Sequence, residues 1–403
     1  MSDRDTAHPQ SGASLFRRII NDSRSLGVLL LFCTLLSLVL TNIKGIGELY
    51  YNFWEMPIPG FQRLHLPHTI VHFINDALMT LFFFHVAIDI KKEAVIGELS
   101  SLSRMMLPSV SALFGVAFPA IIFIFLTAGT AYTNGWAIPT ATDIAFTLGM
   151  ISLLGKAVPH SMKVFLTALA IIDALCAILI IALFYGSSLY LIWLAGVVAV
   201  GIVIFLINRF FHHKWVYIVT TGLALIMWYC MYRSGIHASF AGVILALILP
   251  ISKMPAFERK ISLPVNFIIV PLFALANTSI FITPSAVAGL TSPLSLGIVL
   301  GLFIGKPLGI TLAVYLMVKL RLVRLSNIRW TQFIGVGILA GIGFTMSIFV
   351  SNLSFPEEKI LKDVAKLSVL IASALTMIVG YIWLKVFSRK KGKEKVQLGE
   401  PLP

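Results

Sequence analysis

Apolar segments of about 20 residues recur along the whole chain, each long enough to cross a hydrocarbon core of ~30 Å. Charged residues collect in the short stretches between them. Helices that satisfy their own backbone groups can cross a bilayer in this way, whereas a soluble domain cannot cover such a surface. Of the 403 residues 58% are hydrophobic and 12% charged, against about 25% charged in a typical soluble domain. The expected fold is an all-α polytopic membrane protein with about twelve transmembrane helices, at 25–42, 70–90, 105–127, 136–154, 161–185, 189–208, 215–232, 237–251, 264–283, 295–318, 331–352 and 364–387. Residues 1–24 are polar and lack the apolar core and cleavage site of a signal peptide. They read as a cytoplasmic N-terminal tail, 25–387 as the membrane domain, and 388–403 as a basic cytoplasmic tail that faces anionic lipid.

A net charge of +14 in a soluble chain would suggest a nucleic-acid partner. Here the basic residues follow the loops instead. With the N-terminus placed inside, 24 of the 31 Lys and Arg residues fall in inside segments, 6 fall outside, and Lys306 lies within a span. That bias supports two cytoplasmic termini and argues against a nucleic-acid partner. Cys33, Cys176 and Cys230 sit in apolar surroundings at spacings that suit neither a metal site nor a disulfide framework. The outside loop 43–69 carries Tyr50, Tyr51, Phe53 and Trp54 beside Pro57, Pro59 and Gly60. It reads either as an interfacial aromatic belt or as a small hairpin that contacts another subunit.

Ionisable residues at membrane depth are expensive and need a reason. Asp76 lies in the second span, with Asp89, Lys91, Lys92 and Glu93 at its inner end; Asp143 lies in the fourth, Asp173 in the fifth and Lys306 in the tenth. Static salt bridges or capped helix ends account for such residues in the bland reading. Alternatively, two carboxylates and one ammonium form a cation site whose occupancy is controlled by protons. The backbone favours the second reading. Ile138-Pro139-Thr140-Ala141-Thr142-Asp143 places a proline and threonines inside a span, and Gly335, Gly337, Gly341 and Gly343 precede Phe344-Thr345-Met346-Ser347 in another. Both are expected to be broken helices, which are tolerated at this depth only where they are buried in protein or line a cavity.

Further segments add to these: Ile74-Asn75-Asp76-Ala77-Leu78-Met79, Ala168-Leu169-Ala170-Ile171-Ile172-Asp173, Ser234-Gly235-Ile236-His237-Ala238, Pro271-Leu272-Phe273-Ala274 and Gly305-Lys306-Pro307-Leu308-Gly309-Ile310. Together the chain resembles the NhaA family of bacterial sodium/proton antiporters, colinearly from about residue 14 to 388. That family is itself a standard example of inverted repeats with interrupted helices meeting at mid-membrane. The resemblance implies Na⁺ or Li⁺ exchanged for H⁺ by alternating access, with pH regulation, no cofactor, and a homodimer that contacts through the hairpin after the first span. It assigns Thr142 and Asp143 to the crossing of the broken helices and Lys306 to pairing with Asp173.

One departure stands out. The family's Asp-Asp pair reads Asp173-Ala174 here, and alanine supplies no side-chain oxygen for a hard cation. Three readings stay open: Asp173 alone serves the cation, the ion or proton ratio has changed, or the protein is a non-transporting sensor or partner. The resemblance also assigns pH gating to Asp89, Lys92 and Glu93, to Glu258 before the ninth span, and to His237, whose titration range suits that task. An enzyme is not expected: neither Asp143 nor Asp173 sits in the Gly-x-Gly-Asp setting of intramembrane aspartyl proteases, and no phosphate-cradling glycine loop appears.

Overall fold

The structure, a computed structural model, describes residues 23–388 apart from 187, 212 and 324–328. Most of the two expected tails therefore lies outside the described residues. The long helices are α1 (Ser23–Asn42), α3 (Ile70–Val95), α4 (Leu102–Thr127), α6 (His160–Phe184), α7 (Leu191–Phe210), α8 (Trp215–Ser234), α10 (Ile251–Asn277), α11 (Pro293–Lys319) and α14 (Lys359–Ser388). Shorter ones are α2 (Gly47–Trp54), α5 (Ile144–Leu153), α9 (Phe240–Ile248), α12 (Trp330–Ala340) and α13 (Phe344–Ser354).

Among the described residues, nine helices are long and apolar enough to cross a membrane, and two bent pairs bring the total to eleven. The segment expected at 237–251 differs. Only α9 is helical there, but the segment still runs along α3 from His237 beside Asp76 to Leu249 beside Lys91. Pro250 follows the end of α9. The span expected to begin at 264 starts earlier, at Ile251, because Pro264 is absorbed at a π turn over Val265–Ile269. Asparagine, threonine and serine end that helix at Asn277.

Both interruptions expected from sequence are present. Residues Ala131–Thr140 and α5 meet at 42°, and α12 and α13 at 46°. Around them α4 packs along α6 and α11, α7 pairs with α8, and α9 lies along α3. Small residues set these approaches. A Cβ at Gly242 of α9 would overlap the Thr80 carbonyl of α3, and one at Gly309 of α11 would overlap the Phe114 carbonyl of α4.

The loop after α1 holds α2 and then folds back as a short hairpin, with Pro57 bridging to Thr69. Two of its aromatic residues are committed within the chain. Trp54 is buried, and the Tyr51 ring carries the Lys359 ammonium at 3.9 Å. All three cysteines are free, with Cys33 and Cys230 buried among apolar side chains.

Because Gly242 has backbone in the space a methyl group would need, Gly242→Ala is expected to destabilise the detergent-solubilised protein by about 1–3 kcal/mol. Gly222, with nothing within 4 Å of its would-be Cβ, serves as the control. Thermal unfolding followed by size exclusion should show a lower midpoint for the first alanine variant and an unchanged or higher one for the second.

Candidate ion-binding site

Two helices broken at membrane depth expose four ends, and each end carries backbone groups that lipid cannot satisfy. Here the two broken spans cross, and they close each other's ends. Asp143 is the extended residue before α5, and its Oδ1 accepts from the Phe146 N–H at 3.0 Å. Its Oδ2 accepts from the Thr345 N–H at 3.0 Å and from the Thr345 hydroxyl. One carboxylate therefore caps two helix N-termini, where a negative charge offsets the positive ends of both dipoles. The next amide, that of Phe344, donates to Ser373 of α14 at 3.1 Å.

The carbonyl ends are treated in kind. Thr142 donates its hydroxyl to the Ala340 carbonyl at 2.6 Å, Ser347 donates to Ile138 at 2.7 Å, and the Asp143 amide donates to Ile342 at 2.7 Å. The remaining carbonyl end, at Thr140, accepts from the Lys306 ammonium. Glycines make the crossing possible. A Cβ at Gly341 would overlap the Leu302 carbonyl, and one at Gly343 would overlap the Ser347 hydroxyl.

Lys306 reaches Thr140 from α11, just past a π turn at Gly301–Gly305 that carries it toward the crossing. Its ammonium also donates to Asp173 Oδ2 on α6 at 2.8 Å. Both side chains are fully buried. The other oxygen, Asp173 Oδ1, is buried without a hydrogen-bond partner among the described residues, and an unsatisfied carboxylate oxygen at this depth is costly. Ala174 is buried beside it and offers only a methyl group.

The structure thus brings Thr142, Asp143, Asp173 and Lys306 into one buried cluster. It adds Thr345, which sequence reasoning placed in a broken helix without a role. A threonine at the second position after a glycine break was the available signal.

The residues assigned to pH gating divide between two ends. Lys92 forms an ion pair with Glu258, Asp89 lies 3.6 Å from His85, and Glu93 folds back over Gly97. These lie at the C-terminal end of α3, where Lys91 also caps the end of α9 through the Leu247 and Leu249 carbonyls, both at 2.7 Å. His237 is not with them. It sits near the other end of α3, with Nε2 3.3 Å from Asp76 Oδ1.

The fold and the site define a polytopic membrane protein built on two crossed, interrupted helices that enclose a buried lysine–aspartate pair. A family profile described as Na+/H+ antiporter 1 matches residues 17–384. Among curated relatives, the Na(+)/H(+) antiporter NhaA of Cytophaga hutchinsonii is 42% identical over 380 residues, 92% of this chain and 95% of its own. NhaA 2 of Flavobacterium johnsoniae is 42% identical over 390 residues, 94% of each chain. NhaA of Dechloromonas aromatica is 41% identical over 383 residues, 93% of this chain and 96% of its own. This chain belongs to the Na+/H+ antiporter 1 family.

Removing one partner of a buried pair strands the other, at a cost of about 3–5 kcal/mol, whereas replacing both with apolar groups can be neutral. Lys306→Met alone is therefore expected to lower the thermal midpoint markedly. Adding Asp173→Leu should restore part of the loss. Equal, additive losses in the double variant would mean that the two side chains are not energetically paired.

Proposed function

We propose that this chain is a secondary active transporter that exchanges Na⁺ (or Li⁺) for H⁺ by alternating access. The observation that carries the reading is the open oxygen of Asp173, fully buried beside Lys306 at the crossing of two broken helices. Family membership supplies the ion, since each relative named above carries the name of a sodium/proton antiporter. The non-transporting alternative rests on Ala174 alone and gains no support from those relatives.

Charge balance sets the exchange ratio. Paired Asp173 and Lys306 are together neutral. A sodium ion added to that pair would leave a net buried charge, and an uncompensated ion costs several kcal/mol to bury. Sodium is therefore held by Asp173 only as Lys306 gives up its proton and leaves the carboxylate. When a proton returns to Lys306, the salt bridge re-forms and expels sodium. Asp143 takes no part in this competition, because both its oxygens are occupied in holding the two helix N-termini. One proton moves for each sodium ion, and the cycle carries no net charge. Ion gradients supply the free energy, and no cofactor is called for.

Orientation follows the basic residues: the end bearing Lys91, Lys92 and Lys253 faces the cytoplasm of a bacterial inner membrane, with both termini there. The cluster of Asp89, Lys92, Glu93 and Glu258 then lies at the cytoplasmic mouth, where titration of its carboxylates would gate entry. The hairpin after α2 lies on the outer side and exposes Met56 and Leu64, a surface suited to pairing in a homodimer.

In everted vesicles from a host without its own sodium/proton antiporters, NaCl is expected to collapse the proton gradient through the native protein but not through Asp173→Asn. On a supported membrane the native protein should give little or no sodium-driven current. Ala174→Asp adds a second titratable carboxylate and should make transport current-generating. A large native current would overturn the one-for-one ratio, and full activity in Asp173→Asn would overturn the site.

A further inference from the structure

A polar ladder runs inward along α3 from the end opposite the lysines, and the sequence signals that carry the family resemblance do not include its upper part. It begins at an open basin of about 520 Å³ lined by His65, His68, Tyr232 and Arg233 among others. The basin wall is fixed by backbone: Ile58 N–H donates to the His68 carbonyl at 2.7 Å, beside the Pro57–Thr69 bridge. Thr69 then caps the first turn of α3 by accepting from the His72 N–H. The His68 and His72 rings stand 4.8 Å apart, edge to face. One turn further along lies Asp76, and i,i+4 residues share a helix face.

Asp76 sits in a π turn, Ile74–Leu78, a distortion that often marks functional positions. Its displaced carbonyl is satisfied by the Thr80 hydroxyl at 2.6 Å and the Trp228 indole N–H at 3.0 Å. Its carboxylate faces His237. The Ser239 N–H donates to His237 Nδ1, so the ring proton of the neutral form lies on Nε2, pointing at Asp76. Exposure falls along the ladder: His68 and His72 are exposed, the Asp76 side chain is 22% exposed and that of His237 9%.

The lower end is tied to the ion site. The His237 ring packs on Phe349 of α13 at 5.0 Å, and Phe349 lies one turn from Thr345, which holds Asp143. A second tie runs from Asn75, next to Asp76, through Asn277 to Asn352 of α13, with bonds of 2.8 and 2.7 Å.

From this geometry we infer that His68, His72 and Asp76 form a proton-collecting relay on the outer side, which loads the Asp76–His237 pair against the α13 half-helix. The inference rests on the antiport reading and its orientation. A proton taken from water or buffer by His68 passes to His72, directly or through one water, and then to the Asp76 carboxylate beside His237. No bond other than those to the proton changes. With the proton on Asp76 the carboxylate loses the charge that accepts from His237 Nε2–H, so the contact between α3 and His237 loosens, and the change is passed to α13 through Phe349. The charged groups that act on His72 besides Asp76 and His68 are Glu55 and Lys362, and Asp76 faces the phenol of Tyr232, on which Arg233 also acts.

The test uses right-side-out vesicles with the internal pH held constant. Sodium efflux is followed while the external pH is stepped from about 6 to 8, the range over which imidazole titrates. His68→Gln and His72→Gln lie at exposed positions and leave the core intact. In weakly buffered medium each is expected to slow efflux several-fold, most at the alkaline end where protons are scarce, and added free imidazole should restore it. Dependence on internal sodium should not change. Native-like rates in weak buffer, or slowing that imidazole does not relieve, would overturn the relay. Absence of sodium efflux from the native protein would instead overturn the antiport reading, so the two failures are distinguishable.

Discussion

Everything at the centre of this protein follows from the cost of ending a helix inside a membrane. An unpaired N–H or C=O in hydrocarbon costs several kcal/mol, and two broken spans expose many such groups at one level. The chain meets this by crossing the breaks, so that Asp143, Thr142, Ser347 and Lys306 each serve a backbone end that belongs to another segment. Signs are matched as well: a carboxylate at the helix N-termini and an ammonium at a carbonyl end. Lys306, which closes one of these ends, thereby also reaches Asp173.

That arrangement separates two aspartates that look alike in sequence. Asp143 accepts on both oxygens from the two helix N-termini. Asp173 shares one oxygen with Lys306 and keeps the other open. On the proposed reading, that carboxylate exchanges the ammonium for a cation as a proton leaves or arrives, and the methyl group of Ala174 leaves the exchange to a single carboxylate.

The breaks and the buried charges were legible in the chain because each has a local cause. Proline and threonine before Asp143, paired glycines before Phe344 and apolar runs of the right length all act within a few residues. Even so, the helix within the segment expected at 237–251 is shorter than that segment. Apolar composition continues up to Leu249, while the helix itself ends at Ile248 before Pro250, with its last carbonyls held by Lys91 from α3. No local signal announces a cap that arrives from more than 150 residues away.

Sequence alone determined that this chain must lie in a membrane, where its helices break, and which buried charges require an explanation. Only the tertiary structure decided which charge answers which helix end. It set the Lys306–Asp173 pair against the Thr140 carbonyl and gave each oxygen of Asp143 a different helix N-terminus. It also set His237 beside Asp76 and away from the acidic cluster at the far end of α3. Helix periodicity constrains neighbours three and four residues apart, but partners across a crossing are fixed by how the spans pack, and the close approach at Gly341 and Gly343 is what allows them to meet.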